Sequence, residues 1–190
     1  MAELNAPAIP QSIRAIMDQA IDHARPRSFP AFPQGVEQSN PLNGAPYVFS
    51  WEAFASEFSF DEVRKARTSM LAQACAKLAD AGLRVEFIMV GGSHIAREAA
   101  RPKDLDCVIF YSVEQPDTAD LVMIPDLQKA LLSRRVDARL VPFDGAPILA
   151  AKMVGFFTLL YSSTKGADDR KGIVLVEPPL PGAAGSRQEG

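Results

Sequence analysis

One stretch of the chain, MVGGSHIAREAARPKDLDCVIFYSV at residues 89–113, constrains the fold more than any other. It begins with a Gly-Gly-Ser turn at Gly91, and ten residues separate the serine of that turn from the triplet Asp104-Leu105-Asp106. Apolar runs lie before the turn and after the triplet. The pattern predicts, in order, a strand, a short helix after the turn and a second strand, over 84–90, 93–100 and 104–112.

The two aspartates of the triplet are the strongest candidates for chemistry. Side chains two residues apart in a strand point to the same face, so Asp104 and Asp106 project together while Leu105 and Cys107 face the core. Neighbouring carboxylates repel each other, and a divalent cation relieves that repulsion. Mg²⁺ prefers such oxygen ligands together with substrate phosphates.

A third carboxylate, Asp137, lies in a predicted strand over 136–142. Beside the first two aspartates it would complete a site for two metal ions, and it would act on the attacking hydroxyl, as metal ligand or general base. Two other roles are open to Asp137, capping the end of the preceding helix or pairing with Arg139. Asp144 is a rival third ligand.

The turn itself has the features of a phosphate site. Gly91 and Gly92 let the backbone approach phosphate without a Cβ clash, and Ser93 can donate its hydroxyl. The predicted helix over 93–100 would add free N–H groups at its N-terminus. Three cations between the turn and the aspartates would neutralise a leaving pyrophosphate or else lie solvated, namely Arg97, Arg101 and Lys103.

The combination of Gly92-Ser93, a spacer of about ten residues and Asp104-Leu105-Asp106-Cys107 resembles the signature of the DNA polymerase β-type nucleotidyltransferase superfamily. The segment around Asp137 is similar to that of its minimal members, and the resemblance covers roughly residues 60–145. Two further runs, FPQG at 32–35 and KGIV at 171–174, are similar to a small bacterial branch of that superfamily.

The resemblance implies a fold and an activity. The fold would be α/β (α+β), a small mixed β-sheet flanked by helices. The activity would be transfer of a nucleoside monophosphate from a nucleoside triphosphate such as ATP to a hydroxyl, with Mg²⁺ or Mn²⁺ as cofactor. Small members often act as antitoxins that modify a partner protein, so a protein acceptor is one possibility, beside an RNA end or a small molecule.

The sequence departs from that superfamily at two points. Many relatives carry an arginine two or three residues after the motif serine, where this chain has Ile95 and Ala96, and Arg97 follows slightly later. There is also no recognisable second substrate-binding domain, so the acceptor is not identified. A catalytically weak module that acts by binding a protein, and a structural or assembly subunit, are therefore kept as alternatives.

The rest of the chain predicts helices over 10–24, 61–81, 125–134 and 147–163 and a last strand at 172–177. Ser50 would cap a short helix, and Ser59 or Asp61 the 61–81 helix, which ends at Gly82. Its apolar stripe is predicted to be Val63, Ala66, Met70, Leu71, Ala74 and Leu78. Its cations are assigned to a solvated face, namely Arg64, Lys65, Arg67 and Lys77.

These elements indicate three regions, an N-terminal helix with a Pro-rich arm over 1–46, a nucleotidyltransferase-like domain over 47–176 and a flexible tail over 177–190. The aromatic residues Trp51, Phe54 and Phe58 are expected in the core. His94, next to the motif serine, is expected to have a structural role rather than to touch phosphate.

Composition narrows the setting. The 190 residues carry a net charge of −3, which makes bulk nucleic-acid binding unlikely to be the function. No apolar stretch is long enough to cross a membrane, and the N-terminus lacks a signal-peptide pattern. Cys75 and Cys107 make no disulfide framework and are expected to be reduced and buried, which points to the cytoplasm.

Overall fold

A computed structural model describes residues 9–31, 40–99, 101–163 and 170–180. These residues contain five strands and five α-helices. The strands are β1 (Tyr47–Phe49), β2 (Leu83–Gly91), β3 (Leu105–Val113), β4 (Val136–Pro142) and β5 (Val174–Val176). The helices are α1 (Gln11–Ala24), α2 (Trp51–Phe58), α3 (Glu62–Asp80), α4 (Met123–Ser133) and α5 (Pro147–Ser162).

The strands form one mixed sheet in the order β1-β5-β2-β3-β4. β2 runs antiparallel to both of its neighbours, β3 and β5. β3 is parallel to β4, and β1 is parallel to β5. This sheet with flanking helices confirms the predicted α/β (α+β) class.

The two faces of the sheet are covered by different helices. Alternation along β3 sends Leu105, Cys107 and Ile109 into the larger core, which side chains of α1 to α4 complete. Val108 and Phe110 point to the opposite face, where they pack with Val154, Phe157 and Tyr161 of α5. Asp106 lies two residues before Val108 in the same strand, so its side chain points to the face on which α5 lies.

The helices α2 and α3 begin where local capping chemistry predicts. The Ser50 hydroxyl accepts a hydrogen bond from the Ala53 N–H at 3.2 Å. The Asp61 carboxylate accepts one from the Arg64 N–H at 2.8 Å, so Asp61 rather than Ser59 is the cap of α3. Gly82 follows α3 with φ of +76°, a left-handed conformation that favours glycine at a helix end.

The structure corrects several details of the sequence analysis. The α-helix expected over 93–100 is absent from the described part of that segment. Between β2 and β3 the described residues form a 3₁₀ turn at Gly92–His94 and no α-helix. Strand β1 was not predicted. In the N-terminal segment, Ala24 and Phe29 are fully buried in the larger core. Phe32, with the rest of 32–39, and tail residues 181–190 lie outside the described residues.

Phe54 and Phe58 are fully buried, and Trp51 packs at the edge of the same core, as expected. Cys75 and Cys107 are both buried free thiols, which also agrees with the sequence. In the described part of the chain, no helix has both the length and the apolar character needed to cross a membrane.

Candidate functional site

Three residues at the centre of the predicted motif lie side by side on three strands. Asp106 on β3 is paired with Gly91 on β2 and with Asp137 on β4. Because neighbouring strands are about 4.8 Å apart, the backbones of the two aspartates are close. Asp104 directly precedes β3, two residues from Asp106. The sheet register therefore brings the predicted glycine turn and all three predicted carboxylates together.

The glycine turn is folded directly against this cluster. Gly92 has φ of +70°, and a Cβ atom built on it would overlap the Oδ2 atom of Asp106. A Cβ on Gly91 would lie 2.6 Å from the Cβ of Tyr161, near the end of α5. The first position needs glycine for its left-handed backbone, and both need it for space. Turn, carboxylate and α5 thus form one packed unit.

Negative charge is concentrated at Asp106. The pKa of this carboxyl is raised to about 6, chiefly because it is withdrawn from water, and further by the negative charges of Asp104 and Asp137. The ammonium group of Lys171 acts in the opposite direction and lowers the same pKa. The pKa of the Tyr161 phenol is also raised, mainly by burial and in part by Asp106 and Asp137. A cation would relieve this concentration of charge.

Geometry distinguishes Asp137 from its rival. The Asp144 carboxylate accepts a hydrogen bond from the Val113 N–H at 2.8 Å, which places it at the far end of β3 from Asp106. Asp137 is next to Asp106, and it also makes the ion pair with Arg139 that the sequence allowed, at 3.3 Å. Asp137 is therefore the third carboxylate of the cluster, held in this structure by a largely exposed arginine.

The donor set fits a hard divalent cation that is shared with phosphate. Among the described residues, no group of three or more His, Cys, Asp or Glu side chains is arranged to hold a metal ion by itself. Mg²⁺ commonly takes only one or two protein carboxylates and completes its shell with water and substrate phosphates. Asp104 and Asp106 offer two such oxygen ligands beside the glycine turn, and rotation of Asp137 away from Arg139 would add a third.

A buried arginine, Arg64 of α3, supports the loop that leaves the glycine turn. Its guanidinium donates hydrogen bonds to the carbonyl oxygens of His94 at 2.8 Å, Ala96 at 2.9 Å and Ala99 at 2.8 Å, and it pairs with Asp61. The side chain is fully buried. The expectation that Arg64 lies on a solvated face was wrong, because these loop carbonyls need a buried donor.

Arg67, one turn further along α3, supports the next part of the same loop. It donates to the carbonyl oxygens of Pro102 at 3.1 Å and Lys103 at 2.9 Å, directly before Asp104. Burial lowers the pKa of its guanidinium. Arg67 too was wrongly assigned to the solvated face, whereas Lys65 and Lys77 are exposed as expected.

The sequence contained a signal for both arginines. Arg64 and Arg67 continue, at helical spacing, the stripe of Leu71, Ala74 and Leu78, all of which are buried. Val63 and Ala66, which were expected in this stripe, are exposed instead. The helix is therefore rotated from the predicted orientation, and its first two turns bury guanidinium groups where apolar side chains were expected.

The three cations predicted to bind phosphate lie on the loop between the turn and the aspartates. Arg97 forms an ion pair with Glu57 of α2. Arg101 and Lys103 are exposed on the loop. Their assignment as phosphate ligands stays a prediction.

His94 has the structural position expected of it. The imidazole is fully buried and stacks on Phe54, with ring centroids 6.5 Å apart. Burial, with the nearby charges of Arg64 and Arg67, lowers its pKa to about 3, so the ring is neutral at physiological pH. Neither ring nitrogen has a hydrogen-bond partner in the described part of the chain. His94 therefore packs beneath the turn and does not face phosphate.

The region that contains the candidate site also matches a known protein family. Residues 28–177 match a family described as a family of unknown function (DUF6932). The chain belongs to DUF6932. No curated protein and no solved structure matches the chain. The DUF6932 region includes the glycine turn, the three aspartates, the two buried arginines and Lys171, so the whole candidate site lies within the part of the chain that the family shares.

Proposed function

We propose that this protein is a metal-dependent nucleotidyltransferase that moves a nucleoside monophosphate from a nucleoside triphosphate to a hydroxyl acceptor. The observation that carries the proposal is the alignment of Gly91, Asp106 and Asp137 across three adjacent strands, with Asp104 beside them. This arrangement agrees with the motif resemblance to the DNA polymerase β-type superfamily. It brings the carboxylates and the glycine turn into one small region.

Each part of the site has a separate task in this proposal. Asp104 and Asp106 would hold Mg²⁺ or Mn²⁺, which would neutralise phosphate charge and make the acceptor hydroxyl more acidic. The backbone of the turn and the Ser93 hydroxyl would bind phosphate oxygens. Asp137 would orient the acceptor hydroxyl and accept its proton. The buried arginines of α3 would keep the turn and Asp104 in fixed positions.

The acceptor that we propose is a hydroxyl group on a partner protein, as in antitoxin-like relatives of the resembled superfamily. The described residues contain one compact sheet with its helices and no second domain that would bind a small acceptor. A protein acceptor would bring its own surface to the site. We also propose a cytoplasmic location, which suits nucleoside triphosphates and the two buried free thiols.

The alternative is a catalytically weak module that acts by protein binding. The ion pair between Asp137 and Arg139 favours it, because a carboxylate held by arginine is less available to a metal or a hydroxyl. In this alternative the turn and the aspartates would be retained without turnover, and the protein would act through its surface.

Calorimetric titration with ATP and GTP, with and without Mg²⁺, is the first test of the proposal. We expect binding that depends on the metal and that is lost in Asp104→Asn, which removes one charge and keeps the shape. Transfer of labelled nucleotide to protein in a cell lysate is the second test. Metal-dependent binding without transfer to any acceptor would favour the weak module, and no nucleotide binding at all would refute the enzyme.

A further inference from the structure

The side of the glycine turn opposite to the aspartates is formed by the residues that lead into β5. β5 pairs antiparallel with β2, with Val174 beside Val90 and Leu175 beside Met89. This pairing ends at Val90 and Val174, and the chain that leads into β5, including Lys171, continues past the end of β2 on the side of the turn away from β3. The turn would then stand between the carboxylates on β3 and a lysine on the β5 side.

Neighbouring contacts place Lys171 on the face of the sheet that bears Asp106. Ile173 packs in the cluster with Val108 and Phe110 on that face. The Lys171 N–H donates to the Ser162 carbonyl at the end of α5, and Tyr161, the residue before Ser162, lies against Gly91. Lys171 makes no salt bridge with a described carboxylate at 4 Å or less.

The backbone around Lys171 is held firmly. The Lys171 N–H donates to the Ser162 carbonyl at 2.8 Å, at the end of α5. Lys171 also forms an isolated bridge with Pro30, and a Cβ on Gly172 would overlap the carbonyl oxygen of Phe29. A lysine with a fixed backbone and an ammonium that is paired with no described carboxylate is suited to bind an anion at a defined place.

From this geometry we infer that Lys171 binds the phosphate chain of the substrate, on the opposite side of the turn from Asp104 and Asp106. This inference rests on the proposed function and names a residue that the sequence motif did not include. The substrate class would be a polyphosphate chain held between metal-binding carboxylates and one ammonium. Lys171 would therefore recognise charge rather than the base.

Titration of the full chain with Mg²⁺-ATP and with Mg²⁺-tripolyphosphate tests this inference. Lys171→Gln should weaken both by about tenfold or more, as expected for loss of a charge-assisted contact, whereas Lys171→Arg should keep most of the affinity. Lys129→Gln changes an exposed lysine on α4, and as the matched control it should bind like the wild type. Thermal denaturation of each variant would show that folding is retained.

The outcomes separate the two proposals. Equal affinity in Lys171→Gln and wild type would overturn the role of Lys171 and leave the nucleotidyltransferase proposal standing. Equal loss in Lys171→Gln and Lys171→Arg would show that the position matters for structure rather than charge, and would also overturn it. No binding of either polyphosphate to the wild type would remove the proposed function and this inference with it.

A second observation is independent of the site. The outer face of α5 exposes six large apolar side chains, namely Ile148, Leu149, Met153, Phe156, Leu159 and Leu160, which are between 38% and 75% exposed. At 100° per residue they span about 140° of the helix circumference, and Lys152, the only charged residue of the helix, lies within this span. Side chains of this size and exposure present on the order of 600 Å² of apolar surface, at the upper limit for a monomer.

The rest of the chain has little with which to cover this face. The segments outside the described residues contain only four large apolar side chains, Met1, Leu4, Phe32 and Val36. An area of roughly 600 Å² on one helix approaches the ~800 Å² that each partner contributes to a standard stable interface. The face is also self-complementary, because two antiparallel copies would bury apolar groups against each other with opposed helix dipoles.

We propose that the outer face of α5 joins two copies of this chain. Sedimentation velocity at micromolar concentration should show a dimer for the wild type and a monomer for Phe156→Glu. Leu132→Glu on α4 changes a similarly exposed leucine elsewhere and should remain a dimer. A monomeric wild type, or a Phe156→Glu variant that stays dimeric while folded, would overturn this proposal. A monomeric Leu132→Glu variant would show that the dimer does not depend specifically on α5 and would also overturn it.

Discussion

Replacement of Arg64 by methionine would test whether α3 stabilises the loop of the site. Arg64→Met removes the donor of hydrogen bonds to four loop carbonyls. Two of these bonds, to His94 and Ala96, are fully buried. A buried acceptor left without a partner costs about 1–3 kcal/mol, whereas the other two carbonyls can bond to water. The methionine avoids the desolvation of a guanidinium, which offsets part of that loss.

The expected net loss is about 3 kcal/mol of unfolding free energy, which corresponds to a fall in melting temperature of roughly 6–12 °C in a domain of this size. The native state should persist, since domains are typically stable by about 5–15 kcal/mol. Urea unfolding, followed by the fluorescence of the single tryptophan, Trp51, measures this loss. Metal-dependent nucleotide affinity should fall with it, because the turn is no longer held.

Lys65→Met is the matched control for Arg64→Met. Lys65 is the next residue of α3, its side chain is 58% exposed, and it forms a salt bridge with Glu62. Surface pairs of this kind contribute about 0–1 kcal/mol, so the control should unfold close to the wild type. If the unfolding free energies of Arg64→Met and Lys65→Met differ by less than about 1 kcal/mol, the size of one net hydrogen bond, the support assigned to Arg64 is refuted.

Three further substitutions test the site. Asp106→Asn should stabilise the metal-free protein by about 1 kcal/mol at pH 7.5, after discounting the pKa shift for solvent exposure. Since the pKa of Asp106 is raised in the folded state, protonation of this carboxyl favours folding. The stability advantage of Asp106→Asn should therefore vanish below about pH 4 and grow as the pH rises to about 6. Urea unfolding at several pH values measures this difference, and an advantage that shrinks as the pH rises would contradict the reasoning. Gly92→Val should lower both stability and nucleotide affinity, because its Cβ meets Asp106, and unchanged binding by calorimetry would contradict the packing of the turn. Asp137→Ala should abolish labelled-nucleotide transfer while leaving much of the binding, since its contact is made mainly in the transition state, and persistent transfer would exclude Asp137 from the reaction.

The parts of the fold that the sequence predicted are those with strong local patterns. Strand β4 has the predicted bounds, and β2 and β3 are each within one residue of them at either end. The aspartates could be assigned because a strand has a fixed period of two and because the motif spacing is specific. Asp137 could be separated from Asp144 only once the register of β3 and β4 was known.

The parts that could not be predicted depend on contacts distant in sequence. Strand β1 has only three residues, and its partner β5 comes from the other end of the chain. The loop after the turn is held by Arg64 and Arg67 rather than by its own helical hydrogen bonds, so helical propensity over 93–100 was misleading. Lys171 reaches the site through the same late strand, and no local pattern connects it with Asp106.

The position of β5 between β1 and β2 has a consequence for how the protein assembles. β2, β3 and β4 are consecutive along the chain and can pair as soon as they exist, whereas β1 must wait for β5, its only strand partner in the described sheet. Such non-local pairing requires closure of a long loop, which slows folding. A chain still emerging from the ribosome would already possess its aspartates but neither its finished sheet nor Lys171. The order of synthesis would therefore delay completion of the sheet until β5 has been made.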